Sequence, residues 1–311
     1  MSPMKILVTP RSVTRGGHPS LETLRAAGCA VVLCNPGVQP SEDELCALLP
    51  GCVGYLAGVE PVTVRALEAA RDLRAISRNG TGVDNIDLAA AEARGIAVLR
   101  AEGANARGVA ELTVGLLFAL ARGVAACDNT LKHGGWNRGP AGVELEGKTL
   151  GLAGCGRVGQ LVARMAHGVG MKVLAYDPFP SPSFAPGPDF FYASLEEVCA
   201  RADFLSLHCP PLGAGQTLLD AAALARMKPG AYLLNTARYD LCNPEALLAA
   251  LDSGHLAGLA LDVFDTEPPQ DPRLVRHPRV IGTPHIGGYT RESIDRAMTV
   301  AVDNLLAALQ R

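Results

Sequence analysis

The stretch Lys148-Thr149-Leu150-Gly151-Leu152-Ala153-Gly154-Cys155-Gly156-Arg157-Val158-Gly159 constrains the fold more than any other part of the chain. Leu150 to Ala153 reads as a short buried strand. Gly154, Gly156 and Gly159 form a G-x-G-x-x-G turn, and Gln160 to Ala166 read as the helix that follows. Strand, glycine turn and helix is the context in which this motif binds a dinucleotide. Gly154 permits the tight turn, Gly156 lets backbone approach a pyrophosphate, and Gly159 lets helix and strand pack closely. Free N–H groups at the helix start then face the phosphates. Glycine turns also join strands to helices for purely structural reasons, so the motif alone is weak. Met171 to Asp177 strengthens it, reading as a second strand that ends in a carboxylate. Asp177 lies about 20 residues beyond the motif, where an acid accepts hydrogen bonds from the adenosine ribose. Its charge repels a ribose 2′-phosphate and so favours NAD over NADP. The competing reading of Asp177 is an acid that opens a turn before Pro178.

Strand-like and helix-like segments alternate on both sides of the motif, which implies parallel sheets with helices on both faces. Strands are expected at 5–9, 30–34, 54–57, 73–77 and 96–99, with helices at 20–27, 42–49, 62–70 and 88–94 between them. A long helix from about Ala106 to Ala126 carries Leu112, Val114, Leu116, Leu117, Phe118 and Leu120 and is apolar nearly all round, so it is buried. Its cover is either a core or an interface between copies. The interface is favoured, because one domain rarely covers every face. Past the motif, strands are expected at 204–207, 232–236 and 259–263. Asn243 caps a helix with Pro244 at its first position, and an amphipathic helix runs from Ser293 to Leu309. A length of 311 residues suggests two domains.

Composition excludes several classes. A formal net charge of -3 leaves no basic footprint for nucleic acid. The nine cysteines are scattered, odd in number and without a C-x-x-C pair, which indicates reduced thiols in the cytoplasm and neither a disulfide framework nor a metal site. The first nine residues are too short and strand-like for a signal peptide. The uncharged middle of the longest apolar helix is far shorter than the roughly 18 residues that suggest a membrane span.

Three polar residues follow three successive strands of the second half: Arg238, Glu267 and His285. Strand ends beside a dinucleotide site are where a substrate must be held. Hydride transfer from a 2-hydroxy acid needs a cation for the carboxylate and carbonyl, a base for the hydroxyl proton, and a carboxylate to hold that base. Arginine offers the bidentate fork, histidine titrates near neutrality, and glutamate orients it and favours its protonated form. Each residue taken singly has an ordinary structural reading as well. In the first half, Arg78 stands beside flexible backbone at Gly80 and Gly82, either a cradle for an anion or a glycine turn with a solvated arginine.

The chain resembles the D-isomer-specific 2-hydroxyacid dehydrogenases over essentially its whole length. The resemblance rests on 78–87 (RNGTGVDNID), 144–151 (ELEGKTLG), 261–269 (LDVFDTEPP) and 283–288 (TPHIGG). Within the family it is most similar to the members acting on 3-phosphoglycerate, in the short form without a C-terminal regulatory domain. The fold so implied is α/β, with two Rossmann-like, doubly wound parallel-sheet domains. The NAD domain, 103–285, is inserted into a discontinuous flavodoxin-like substrate domain, 1–102 plus 286–311, and the two crossings form the hinge of a cleft. The resemblance implies that Arg238 binds the substrate carboxylate and carbonyl, that His285 is the acid/base and that Glu267 is its partner. It implies a cofactor site at Thr81, Gly154, Gly156, Arg157, Val158, Gly159, Asp177, His208, Cys209, Pro210, Thr236, Ala237, Arg238, Asp262, His285 and Gly287, with Asp262 at the nicotinamide end. It puts Arg78, Asn79 and Gly80, with Arg238 and His285, around the substrate. No metal is implied. The partners implied are a small 2-hydroxy or 2-keto acid and a second copy of the chain, a homodimer through the NAD domain, with no nucleic acid or membrane.

Some positions depart from the family pattern. Arg238-Tyr239-Asp240 stands where Arg-Gly-Gly is usual, Arg100-Ala101-Glu102 replaces Asn-Thr-Pro, and Cys242-Asn243 replaces Val-Asp. Tyr239 either narrows the cleft or packs elsewhere, in which case specificity falls to Arg11, Arg15, Glu60 and Arg78. The expected activity is NAD-dependent oxidoreduction of a small D-2-hydroxy acid, with 3-phosphoglycerate first. A glyoxylate or hydroxypyruvate reductase is the nearest alternative. A corepressor-like protein that senses NAD is the alternative of a different class.

Overall fold

Among the described residues every pairing between named strands is parallel. That follows from the alternation of elements, since a parallel neighbour needs a crossover long enough to hold a helix. The computed structural model describes residues 3–136, 138, 139, 141–213 and 215–310. The chain divides into two units, Met1–Asn105 with Gly288–Arg311, and Ala106–Gly287.

The first unit contains β1 (Met4–Val8), α1 (Arg11–Gly16), α2 (Ser20–Ala26), β2 (Cys29–Leu33), α3 (Glu42–Leu48), β3 (Cys52–Ala57), α4 (Val64–Ala69), β4 (Ala75–Arg78), α5 (Leu88–Ala93) and β5 (Ala97–Arg100). Its sheet has the order β2-β1-β3-β4-β5. Side chains alternate across a strand, and β1 shows the result. Leu7 joins one core layer with Leu45, Leu67 and Ile76. Ile6 and Val8 join the opposite layer with Leu24, Met298, Val302 and Leu305. Burial on both faces is why β1 reads as a continuous apolar run.

The second unit contains α6 (Ala106–Arg122), α7 (Val124–Lys132), β6 (Thr149–Ala153), α8 (Arg157–Gly168), β7 (Lys172–Tyr176), β8 (Phe190–Tyr192), α9 (Leu195–Arg201), β9 (Phe204–Leu207), α10 (Ala221–Arg226), β10 (Ala231–Asn235), a 3-10 turn (Tyr239–Leu241), α11 (Pro244–Asp252), β11 (Leu256–Leu261), α12 (Arg273–Arg276) and β12 (Val280–Gly282). The chain then returns to the first unit as α13 (Arg291–Leu309). The seven strands are ordered β12-β11-β10-β9-β6-β7-β8. Chain order reverses beside β6, which makes its carboxyl end a topological switch point, the place where open α/β sheets bind ligands.

Register defines that edge. Tyr176, Ala153, Leu207, Asn235, Leu261 and Gly282 are successive Cα partners across the sheet. The residue after each of them therefore lies in one row: Asp177, Gly154, His208, Thr236, Asp262 and Thr283. Alternation again divides the core, with Leu205, Leu233 and Leu259 in one layer and Phe204, Leu234 and Ala260 in the other, against α6 and α8.

Three local features differ from expectation. The helix expected from 106 to 126 breaks at Gly123, which adopts left-handed φ 59, ψ 31; α6 and α7 meet there at 68°. Glycine enters that region without a Cβ penalty, and the apolar pattern running through it masks the break. The loop expected after β1 contains α1, whose six residues are too few to show a helical period. β8 is a three-residue aromatic edge strand not expected from sequence. No single helix among the described residues is long and apolar enough to cross a membrane. The bent pair α6–α7 passes that test together by length and composition, but Leu116, Leu117, Leu120 and Ala121 of α6 are buried in the core of the second unit.

Candidate active site

The glycine turn opens the row. Gly154 has φ 96, and a Cβ there would lie 2.7–2.8 Å from backbone atoms of His208 and Cys209. A Cβ on Gly159 would overlap the carbonyl oxygen of Gly154. Gly156 differs: a Cβ would meet nothing within 4 Å, so its backbone faces open space. It is the N-cap of the 12-residue α8 and supplies no side-chain cap. The first N–H groups of such a helix are left for an external acceptor. Gly156 and Arg157 are exposed, whereas Val158 packs against the core. Across the turn, Asp177 accepts from the Cys155 amide at 2.8 Å through Oδ2 and from the Phe179 amide at 2.8 Å through Oδ1. The carboxylate is thus held beside the glycines. Open backbone, an uncapped helix start and an adjacent carboxylate fit a dinucleotide.

His208, Cys209 and Pro210 follow β9. His208 is only half-buried as a residue, yet burial of its ring pushes the imidazole down to about 4, which keeps it neutral at neutral pH. Its Nε2 lies 2.9 Å from Ser206 Oγ, and its buried Nδ1 has no hydrogen-bond partner among the described residues. Burial likewise raises the Cys209 thiol to about 11, so it stays protonated.

Thr236, Ala237 and Arg238 follow β10, and fully buried Asn235 shapes their loop. Asn235 Oδ1 accepts from the Ala237 amide at 3.1 Å, and Nδ2 donates to the Arg238 carbonyl at 2.8 Å. Thr236 is 7% exposed and its hydroxyl lies 2.8 Å from that of Thr113 on α6. Arg238 is half-buried, and Nη1 donates to the Ala237 carbonyl at 2.8 Å.

The turn after β12 carries His285, whose Nδ1 lies 2.7 and 2.9 Å from the two carboxylate oxygens of Glu267. The expected pair therefore meets, with Nε2 left for another partner. His285 has φ 53, the one non-glycine residue with positive φ among those described. Asp262, 1% exposed, holds this turn. Its Oδ1 accepts from the Thr283 hydroxyl at 2.6 Å and the Ile286 amide at 2.8 Å, and its Oδ2 accepts from the Gly287 amide at 2.8 Å.

The remaining nominated residues belong to the first unit. Arg78 Nη1 donates to the Asn79 carbonyl at 2.5 Å. Gly80 has φ 153, and Asn79 Oδ1 is buried without a hydrogen-bond partner among the described residues. Thr81 donates to Asn105 Oδ1 at 3.0 Å. Glu60 is 1% exposed and accepts through Oε1 from Tyr55 OH at 2.5 Å, from the Gly58 amide at 2.8 Å and from the Thr9 hydroxyl. It ties the ends of β1 and β3 together.

Sequence reasoning missed Asn235 and Thr113. It also missed the three bonds from Asp262 to the His285 turn. An asparagine closing a strand is a local signal for a loop-shaping side chain. Thr113 has no local signal, because its partner is 123 positions away.

Residues 114–287 match the model of the D-isomer specific 2-hydroxyacid dehydrogenase NAD binding domain. The chain belongs to the D-isomer specific 2-hydroxyacid dehydrogenase family. It is 40% identical over 276 residues to D-3-phosphoglycerate dehydrogenase of Rattus norvegicus, covering 86% of this chain and 52% of the relative. It thus spans about half the length of the curated relatives it matches. The TT0316 protein of Thermus thermophilus superposes with a TM-score of 0.87 at 38% identity, over 99% of this chain and 97% of that one. A glyoxylate reductase from Paecilomyes thermophila superposes with a TM-score of 0.85 at 28% identity, over 100% and 97%.

Tyr239 opens the 3-10 turn and does not have positive φ, so the absence of glycine there strains nothing. Its ring packs against the core of the second unit and lines a groove with Pro244, Leu248, Phe264, Leu274 and Val275. Packing is therefore the reading this geometry favours. Tyr239→Ala should cost about 1–3 kcal/mol, below the range for a fully buried aromatic, as read by chemical denaturation. The ranking of 2-keto acids as substrates should not change. A variant of parental stability with an altered ranking would restore the specificity reading.

Proposed function

We propose that this protein is an NAD-dependent dehydrogenase that interconverts a small D-2-hydroxy acid and its 2-keto acid. The observation that carries the reading is the His285–Glu267 hydrogen bond, in a second unit whose sheet edge also presents Arg238 and the glycine turn. Family membership supports the same chemistry. The dinucleotide, when bound, supplies the hydride acceptor for oxidation or the hydride donor for reduction. Arg238 binds the substrate carboxylate and polarises the carbonyl oxygen with its planar fork. His285 Nε2 takes the hydroxyl proton in oxidation and returns it in reduction. Glu267 holds Nδ1 as the protonated nitrogen, which leaves Nε2 as the working atom. Asp177 sets the preference for NAD, and Gly154, Gly156, Gly159, His208 and Thr236 line the cofactor side. From the first unit, Arg78, Asn79, Gly80 and Thr81 serve the substrate and the cofactor.

3-Phosphoglycerate is the first substrate to test, because a 40% identical relative is named for it. Glyoxylate or hydroxypyruvate is the alternative, favoured by the similarity to a glyoxylate reductase. The nine free thiols support a cytoplasmic setting. We place a homodimer contact on α6–α7, where Phe118, Val124 and Leu131 are 42–55% exposed and nearby Trp136 is 84% exposed. A monomer in sedimentation equilibrium at micromolar concentration contradicts that contact.

The test is NADH oxidation with a panel of 2-keto acids, including 3-phosphohydroxypyruvate, and the reverse reaction with NAD. Activity with NADH should exceed that with NADPH. Arg238→Ala should lower kcat/KM for the acid about 10- to 150-fold, the loss of a charge-assisted pair. His285→Ala should cost about 10²–10⁴ in rate. Binding of NADH without turnover of any 2-keto acid would favour the NAD-sensing corepressor-like reading and overturn this one.

A further inference from the structure

α6 touches both segments that carry the proposed chemistry. Thr113, in its second turn, is fully buried. Its hydroxyl donates to the Val109 carbonyl at 2.8 Å. A threonine hydroxyl has one proton, and this bond uses it. The hydroxyl of Thr236, 2.8 Å from Thr113 Oγ1, is therefore the donor of that contact. The result is a directed chain from Thr236 Oγ1–H to Thr113 Oγ1–H to the Val109 carbonyl. Back-bonded threonine is a neutral-to-unfavourable choice inside a helix, so helix stability does not account for it.

The loop from β10 to Arg238 is consequently held from both faces of the sheet. Thr236 is pinned to α6 in the layer that contains Leu117 and Leu120. Asn235 is pinned on the other side, where its Nδ2 also lies 3.9 Å from Cys242 Sγ of the opposite layer. The same helix backs the His285 turn: a Cβ on Gly287 would lie 3.2 Å from Val109 Cγ2 and 3.0 Å from Asp262 Oδ2.

We propose that Thr113 is a positioning residue whose back-bonded hydroxyl is the fixed acceptor anchoring Thr236 and, through it, the loop that presents Arg238. The proposal rests on the dehydrogenase reading for the importance of Arg238, but the anchoring itself is independent of activity. Thr113→Val keeps the shape and removes the acceptor, leaving the buried Thr236 hydroxyl without its partner. Thr113→Ser keeps the chain of hydroxyls.

Two measurements on the 311-residue chain test this. In cofactor-free protein, hydrogen exchange of the amides in 236–241 should be about 5- to 30-fold faster in Thr113→Val than in the parent, the size expected for one lost hydrogen bond. Thr113→Ser should return exchange to the parental rate. With the best 2-keto acid, kcat/KM should fall by a similar factor in Thr113→Val and recover in Thr113→Ser. Unchanged exchange across 236–241 overturns the anchor, whatever the activity. A lowered Tm with unchanged exchange and unchanged kcat/KM does so too, by making Thr113 purely structural. A parent that reduces no 2-keto acid overturns the dehydrogenase reading instead, and exchange still decides the anchor.

Discussion

The carboxylate of Asp262 is the interaction on which the proposed site depends. It is buried at the end of β11, and three donors from the turn Thr283–Gly287 satisfy it. Hydrogen bonds to a charged group contribute about 1.5–3 kcal/mol each. A non-glycine residue in a sparsely populated backbone region costs about 1–3 kcal/mol. The three bonds together outweigh the left-handed conformation of His285, which explains why that conformation persists without glycine. They bracket His285 on both sides and leave its side chain to Glu267. Burial at the sheet edge makes the arrangement strict, because a donor moved off the carboxylate has no water to replace it.

The edge itself follows from the parallel sheet. Six strands end in register, so six different loops start in one row, and each loop can supply one polar group without disturbing the core beneath it. Two of the loops are shaped by a strand-end side chain that bonds backbone: Asn235 for the Arg238 segment and Asp262 for the His285 turn. These two strands are neighbours, and the Asp262 amide donates to the Asn235 carbonyl at 3.1 Å. The backbone that carries Arg238 and the turn that carries His285 are thus positioned by strand spacing and short backbone-directed bonds. The uncapped start of α8 beside Gly156 occupies the same row.

Much of this is legible in the sequence. The strand, the three glycines and the helix after them follow from local conformational demands, and the apolar runs of β1, β6 and β9 follow from burial on both faces. Asn243, Pro244 and the cap of α11 are local chemistry and appear as expected. What escapes is of two kinds. α1 and β8 are too short to show a period, and the break at Gly123 is hidden by the continuous apolar pattern around it. The bonds from Thr113 to Thr236 and from Asp262 to Gly287 join positions 123 and 25 residues apart. Nothing in the local sequence announces those pairings, although Asp262 itself stands in a stretch that carries the family resemblance. Tyr239 shows a further limit: a substitution beside Arg238 suggests altered specificity, whereas the ring packs against the core, a contact that the local sequence does not announce.

The bonds from the Thr283 hydroxyl and the Ile286 and Gly287 amides to Asp262 lead us to propose that Asp262 serves the reaction by holding the turn that carries His285, in place of the contact with the nicotinamide end expected from the resemblance. A double-mutant cycle on the rate of 2-keto acid reduction, using Asp262→Asn, His285→Ala and the double variant, decides between the two roles. Groups that work as a unit lose rate non-additively. Each single variant should be slow, and the double variant should be no slower than His285→Ala alone. Losses that multiply in the double variant would contradict it, and would assign Asp262 a role of its own at the cofactor.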